Sequence, residues 1–450
     1  MRFEAVDRER PKLWIADAAR RLFAPSEDLA RDLAAACRAA ELHPRTAWVL
    51  VELEAPCADQ PRLTDLDVLS RLSSRAAARD AARAMRDALL ALQRLGRKTV
   101  AVLRGEIDAH ATSIALACSR RVVERGARLG SSAALRGLGP LPTSLRRTIE
   151  ISGVAVTRRL FLDGERLGAS ELVARGLADA VFDDELPEQG VAALLTHATA
   201  RSTDAKRRIA TLLGSFAARR RAPVEAPERE HARALTDTLL RRIARARDVA
   251  DLELDVVAEL ALSSPARRIA KYHAREHVDP SASAFRDVDA MEVALTLEAL
   301  SLVREGVSAD AVDLAARRFG FRRGPLAALA LAGHDVFEAR LVRLRDERGA
   351  RFAQSDARTS RTRRHEREEL EQRLALRFVN EAWTNRADAK ADELDYAAMR
   401  IGGFPAFRGG PIAYVETIGA REIVSRLRHF SGAIHPRFTP ADALLAVAGR

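Results

Sequence analysis

Two histidines four residues apart are a natural starting point for chemistry. His273-Ala-Arg-Glu-His277 has the H-x-x-E-H spacing, which puts both imidazoles on one helical face. With a third ligand the pair could hold zinc beside a glutamate base. Charged residues crowd the motif and no third ligand is evident, which favours a solvated helix end. His110 stands in the run Asp108-Ala-His-Ala-Thr112-Ser113. An imidazole titrates near neutral pH, so a pocket-facing His110 could act as acid or base; the alternative is a hydrogen-bonded structural histidine. Asp108 reads as a turn or capping residue. Arg408, between Phe407 and Gly409, could reach a ligand phosphate, an ion pair with a carboxylate being the commoner fate. His334-Asp335 follows the helix-ending Gly333 and reads as structural. Phe321, Phe404 and Phe407 read as turn aromatics that plug a helical core. Cys37, Cys57 and Cys118 are odd in number and widely spaced, which argues against a disulfide framework or zinc ribbon.

These residues need a scaffold, and the chain has ample material for one. Its 450 residues correspond to two to four domains, and 47% hydrophobic residues is a globular composition. The net charge of +11 comes from 74 basic residues interleaved with 63 acidic ones, without an aromatic-plus-basic motif, so no nucleic-acid partner is expected. A polyphosphate-bearing small molecule suits that charge at least as well. No apolar run approaches the length of a membrane span and the N-terminus has no signal-like apolar core, so a cytoplasmic protein is expected.

Spacing predicts a helix over 13–40, a strand at 46–54, a helix at 74–96, a strand at 98–103 and an apolar helix at 109–119. This alternation points to an α/β unit with a parallel sheet, continuing to about Phe182. Beyond residue 190 strand signals vanish, and 204–277 reads as charged amphipathic helices with a break at Arg219-Arg-Arg-Ala-Pro. The small and polar residues of 277–285 mark a boundary. The expected domains are 1–200, a helical linker over 201–285, and an all-α domain over 286–450.

That last domain contains an internal repeat, with copies at about 286–336 and 373–421. Glu298-Ala-Leu300, Asp313-Leu-Ala-Ala316, Phe319-Gly-Phe321, Gly324-Pro-Leu326 and Gly333 recur in order. Their counterparts are Glu381-Ala-Trp383, Asp395-Tyr-Ala-Ala398, Gly402-Gly-Phe404, Gly410-Pro-Ile412 and Gly419. Pro at a helix start and Gly beyond its end is the expected asymmetry. Between the copies, Arg340–Glu371 is dense in both charges and reads as a solvated linker or exposed helix.

Three segments resemble one family. Arg97–Gly105 with Ala115–Cys118, Leu129-Gly130 through Gly137-Leu-Gly-Pro140, and Leu162–Gly164 with Ala169–Val181 resemble the crotonase (enoyl-CoA hydratase/isomerase) core. Glu259–Lys271 resembles the linker helix of multifunctional β-oxidation α subunits. The repeat, above all Gly402–Pro411, resembles the C-terminal domain of 3-hydroxyacyl-CoA dehydrogenases. The whole resembles an α subunit of the fatty-acid oxidation complex without its Rossmann domain. The implied fold is an α/β crotonase-like spiral followed by an all-α dehydrogenase C-terminal-like domain.

The resemblance also shows what is missing. No Gly-x-Gly-x-x-Gly follows a strand, so no NAD site and no dehydrogenase activity are expected, and no other cofactor or metal. The family's two acid/base glutamates align with Ser113 and Ala133. The oxyanion-binding amide aligns with His110, beside Ala109, and Gly137, Leu138 and Pro140 would line the acyl-CoA pocket. The second oxyanion donor has no clear counterpart. The resemblance therefore implies a degenerate, non-catalytic homologue that binds acyl-CoA or serves as a complex scaffold. Residual hydratase or isomerase activity through His110 and a pure assembly module are the alternatives. The expected partner is a thiolase-like subunit, another protein, or a second copy of the chain.

Overall fold

The computed structural model describes residues 2–5, 11–15, 22–42, 49–53, 64–96, 99–183, 227–245, 249–275, 278–352, 367–384 and 390–449. The chain divides into two compact units, 1–222 with 229–270 and 223–228 with 271–450. The Arg219–Pro223 break and most of the 183–188 acidic segment lie outside the described residues, as do Cys57, Glu276 and His277.

In the first unit, strands β1 (Arg2–Ala5), β2 (Pro11–Ile15), β3 (Val49–Leu53), β4 (Thr99–Leu103), β6 (Arg120–Glu124) and β9 (Ala180–Phe182) form one sheet in the order β1-β2-β3-β4-β6-β9. β1 pairs antiparallel with β2, and the other pairs are parallel. The short strands β5 (Glu106–Ile107), β7 (Arg128–Leu129) and β8 (Leu167–Gly168) form a second sheet. β4 leads through β5 into helix α4 (Ala109–Ala117), and β6 leads through β7 toward α5 (Ser144–Phe161). This stepwise repetition is the expected crotonase-like spiral. The continuous apolar run of β4 follows from burial on both faces. Val100 and Val102 pack with Val122 and Phe182, while Ala101 and Leu103 join the main core.

The helices on that core are α1 (Glu27–Glu41), α2 (Asp65–Arg71) and α3 (Arg75–Arg94). Ser26 and Ser74 cap α1 and α3 by accepting from Leu29 and Ala77 N–H, and Leu33 and Cys37 face the same core as Met85 and Leu89. The helix expected over 13–40 is shorter than its periodicity suggests. Residues 11–15 are a strand paired on both sides, so sheet hydrogen bonding overrides the local pattern there.

After α6 (Ala169–Ala174) come α7 (Pro227–Arg245), α8 (Ala250–Leu262) and α9 (Ser264–His273). Residues 229–270 of this stretch belong to the first unit: Leu239 and Ile243 join its main core, and Leu254 and Val257 pack on Ala82. The division falls at 270/271, ahead of the boundary expected at 277–285, whose last residues, from Ala282, already belong to a helix.

The second unit runs α10 (Ala282–Arg304), α11 (Ala309–Phe319), α12 (Pro325–Ala332), α13 (His334–Arg348), α14 (Arg367–Thr384), α15 (Ala391–Arg400), α16 (Pro411–Ile418), α17 (Ala420–Ala433) and α18 (Asp442–Ala448). Val288, Met291 and Leu295 of α10 share a core with Leu374, Phe378 and Ala382 of α14, so the two copies bury each other's apolar faces. The repeated Asp and Gly have one geometric cause. Asp313 accepts from the N–H groups of Leu326 and Ala327, each at 2.9 Å, and Asp395 from Ile412 and Ala413 at 2.7 and 3.1 Å. Each carboxylate thus caps the helix that starts at the repeated proline. A Cβ on Gly324 or Gly410 would overlap that same carboxyl.

The repeat also extends further than its sequence signature. Arg351 reaches Glu381 at 3.2 Å, and its counterpart Arg437 reaches Glu298, the counterpart of Glu381, at 2.5 Å. Phe321, Phe404 and Phe407 are buried as expected; Phe404 stacks on Phe378 and meets Phe321 edge-on. Arg408 lies 4.1 Å over the Phe319 ring and donates to the Phe319 carbonyl at 3.1 Å. Where 340–371 is described it holds the end of α13, a helix with an exposed side as the exposed-helix alternative has it, and the start of α14. α13 buries Phe337, Leu341 and Leu344, and Arg340 and Arg343 pair with Asp289 of α10. Its dense charge hides an apolar stripe whose neighbouring arginines have acidic partners.

Candidate functional site

The site predicted from sequence lies at the start of α4. Gly105, with φ of 60°, turns the chain just after β4, and it runs through β5 into a helix that is apolar because it is buried. Asp108 ties this turn to the next by accepting from Ser132 N–H at 2.9 Å and Ser132 Oγ at 2.6 Å, and it pairs with Arg166 at 3.0 Å. Its expected turn role is what the structure shows. Ala109 is the first residue of α4.

His110 is 1% exposed. Its backbone N–H donates to the Leu22 carbonyl at 3.0 Å, and its Nε2 lies 2.7 Å from the Ala24 carbonyl. A carbonyl only accepts, so Nε2 carries the proton. Burial pulls the imidazole down to about 4, leaving it neutral at physiological pH. Both the amide and Nε2 of the candidate residue are therefore engaged by residues 22–24.

That three-residue segment is held from its other side by Asp65, at the start of α2. One Asp65 oxygen accepts from the N–H groups of Phe23 and Ala24, each at 2.8 Å. Burial raises the Asp65 carboxyl, and these two donors oppose the rise. The Arg136 guanidinium lies 4.4 Å over the Phe23 ring. Asp65 was not legible as a site residue: Thr64 and Asp67 announce a capping box, but nothing nearby signals a bond to a segment about 40 residues earlier.

Ser113 is one turn along α4 from His110, and its Oγ accepts from Ser144 Oγ at 2.8 Å. Ala133, buried, precedes a short 3-10 turn (Ala134–Arg136) and its carbonyl accepts from Arg136 and Leu138 N–H at 2.9 and 3.0 Å. Leu138 and Ala133 share a core cluster with Leu22, Phe23 and Ala24. Gly137 has φ of 72°, and a Cβ there would lie 3.2 Å from Ala266 N. At Gly139 a Cβ would meet Leu260 at 3.1 Å, so the loop through the buried Pro140 lies directly under α8 and α9. The structure thus gathers His110, Ala133 and Leu138 around residues 22–24, while Ser113 faces the start of α5.

That helix start is also unusual. Thr143, at φ of 73°, is the one non-glycine residue with positive φ among the described residues, and its N–H donates to Glu253 of α8 at 3.3 Å. Burial raises the Glu253 carboxyl, opposed by this bond. Glu253 shares helical spacing with the buried Val257 and Leu260, so a charge on an apolar stripe was its sequence signal. His273 ends α9, and no group of three metal-ligating side chains occurs among the described residues. No described helix is long and apolar enough to cross a membrane.

Comparison with known proteins gives three findings. Residues 288–369 match the family "3-hydroxyacyl-CoA dehydrogenase, C-terminal domain". The chain is 27% identical over 192 residues to the fatty acid oxidation complex subunit alpha of Shewanella loihica, covering 34% of this chain and 27% of that one. It is 28% identical over 179 residues to the Vibrio vulnificus subunit of the same name, covering 31% and 25%. The chain therefore spans about a quarter of the length of these relatives. Among solved structures, an enoyl-CoA hydratase from Bacillus halodurans is similar at 18% identity and a TM-score of 0.40, over 60% of this chain and 98% of that one.

Proposed function

From a chain similar to the α subunits of the fatty-acid oxidation complex, with a 3-hydroxyacyl-CoA dehydrogenase C-terminal domain in its second unit, we propose a degenerate, non-catalytic homologue that serves as an assembly subunit. One observation carries this reading. At the two positions where the resemblance places acid/base glutamates stand Ser113 and Ala133, both buried, and Ser113 is hydrogen-bonded to another hydroxyl. Activating water and protonating the α-carbon both require a group that titrates near neutral pH. Neither a serine hydroxyl nor a methyl does so, and each lost acid/base group forfeits roughly 10²–10⁴-fold. Hydride transfer has no better support: α9 ends at His273 and α10 begins at Ala282, leaving no room between them for a dinucleotide-binding domain.

The proposed role is then to hold a protein partner, either a thiolase-like subunit or a second copy. Residual hydratase activity through His110 is disfavoured, because its amide and Nε2 already have protein partners. The test is loss of enoyl absorbance with crotonyl-CoA and a long-chain enoyl-CoA. The expected rate equals that of buffer, in wild type and His110→Ala alike. Turnover by wild type that disappears in His110→Ala refutes the proposal.

A further inference from the structure

The first N–H groups of any helix lack acceptors within the helix. In α4 the N–H of His110 is one of these, and its acceptor is the carbonyl of Leu22, far away in sequence. The neighbouring residues repeat the pattern. The Ala24 carbonyl takes His110 Nε2, and the N–H groups of Phe23 and Ala24 both go to Asp65 Oδ1. Four polar backbone groups of three consecutive residues are thus satisfied by two side chains and one amide. All three residues are buried, and they share their apolar cluster with Ala133 and Leu138.

We propose that Leu22–Ala24 is an autoinhibitory strap, occupying the His110 amide from within the chain and barring an acyl-thioester carbonyl from it, with Asp65 as the clasp. This rests on the reading above, in which the His110 amide is the remnant of a thioester site. One N–H directed at Leu22 at 3.0 Å has no second strong bond to give. A thioester oxygen can take it only if the strap leaves. Leaving would expose Leu22 and Phe23, strip Phe23 from Arg136 and orphan the buried Asp65 carboxyl. The strap therefore behaves as a tethered competitor whose local concentration no free ligand matches.

Binding of butyryl-CoA, which cannot be hydrated, to the full chain tests this, with Asp65→Ala and Phe23→Gly as two independent ways of loosening the strap. Wild type is expected to show no binding at concentrations where both folded variants gain at least tenfold in affinity. Hydrogen exchange at the His110 amide should speed up in both. No gain in either folded variant, or wild-type binding equal to theirs, overturns the strap and leaves the non-catalytic reading intact. Crotonyl-CoA turnover by a loosened variant while wild type stays silent supports the strap and overturns that reading. Should both variants fail to fold, wild type alone decides: a large excess of butyryl-CoA must leave His110 amide protection unchanged, and binding that alters it overturns the proposal.

Discussion

Replacing Gly410 by alanine is a stringent test of how the second unit is built, because Gly324 supplies its internal control. At either position a Cβ would overlap the side chain of the aspartate that caps the following helix. Asp395 cannot retreat without releasing Ile412 and Ala413 N–H, and Asp313 cannot without releasing Leu326 and Ala327. Losing such a cap costs about 1–2 kcal/mol. Only Gly410 adds backbone strain, since its φ is 103° whereas that of Gly324 is −68°. Strain of that kind is worth on the order of 1–3 kcal/mol. Asp395 is also buried whereas Asp313 is half-exposed, so displacing it leaves a costlier orphan. Gly410→Ala should therefore cost about 3–5 kcal/mol and Gly324→Ala roughly 1–3 kcal/mol. Urea titration followed by circular dichroism, with hydrogen exchange over 405–419 and 320–333, separates the second unit from the first. Equal losses at the two sites would refute the strain and burial difference, and a Gly410→Ala protein within about 0.5 kcal/mol of wild type would refute the capping argument itself.

Two further outcomes follow from buried charge. Arg373 is fully buried between Glu298, at 2.8 Å, and Glu305, at 2.7 Å. Arg373→Met leaves those carboxylates short of a partner and should cost about 3–5 kcal/mol in denaturant unfolding; a neutral result would show the network to be dispensable. His110 is held near 4 against an ordinary 6.5, so the unfolded chain binds its proton more readily. Stability should then rise with pH between about 4 and 6.5 and level off above, and His110→Gln should flatten that rise. An unchanged pH profile in His110→Gln, measured by thermal unfolding from pH 4 to 7, would show that His110 is not buried neutral.

By itself the sequence determined the strand–helix alternation of the first unit, its parallel-sheet character and the duplication in the second. Each of these is local: apolar runs of strand length, Gly-Pro helix starts, and motifs recurring in register. It also put a serine and an alanine, Ser113 and Ala133, where the resemblance places acid/base glutamates, because side-chain chemistry can be read without coordinates. Residues 11–15 escaped local reading because two neighbouring strands impose their conformation. The buried stripe of α13 escaped because the arginines beside it are paired with acids some 50 residues earlier in the chain. The candidate site was decided by contacts of the same long-range kind. The resemblance made His110 a candidate site residue; the fold set Leu22, Ala24 and Asp65 around it. Hydrogen bonds and apolar burial act between atoms close in space, whatever their separation along the chain, and a strand or helix signal extends only a few residues. Whether the His110 amide met a ligand or the chain's own carbonyl was therefore settled only by the tertiary structure.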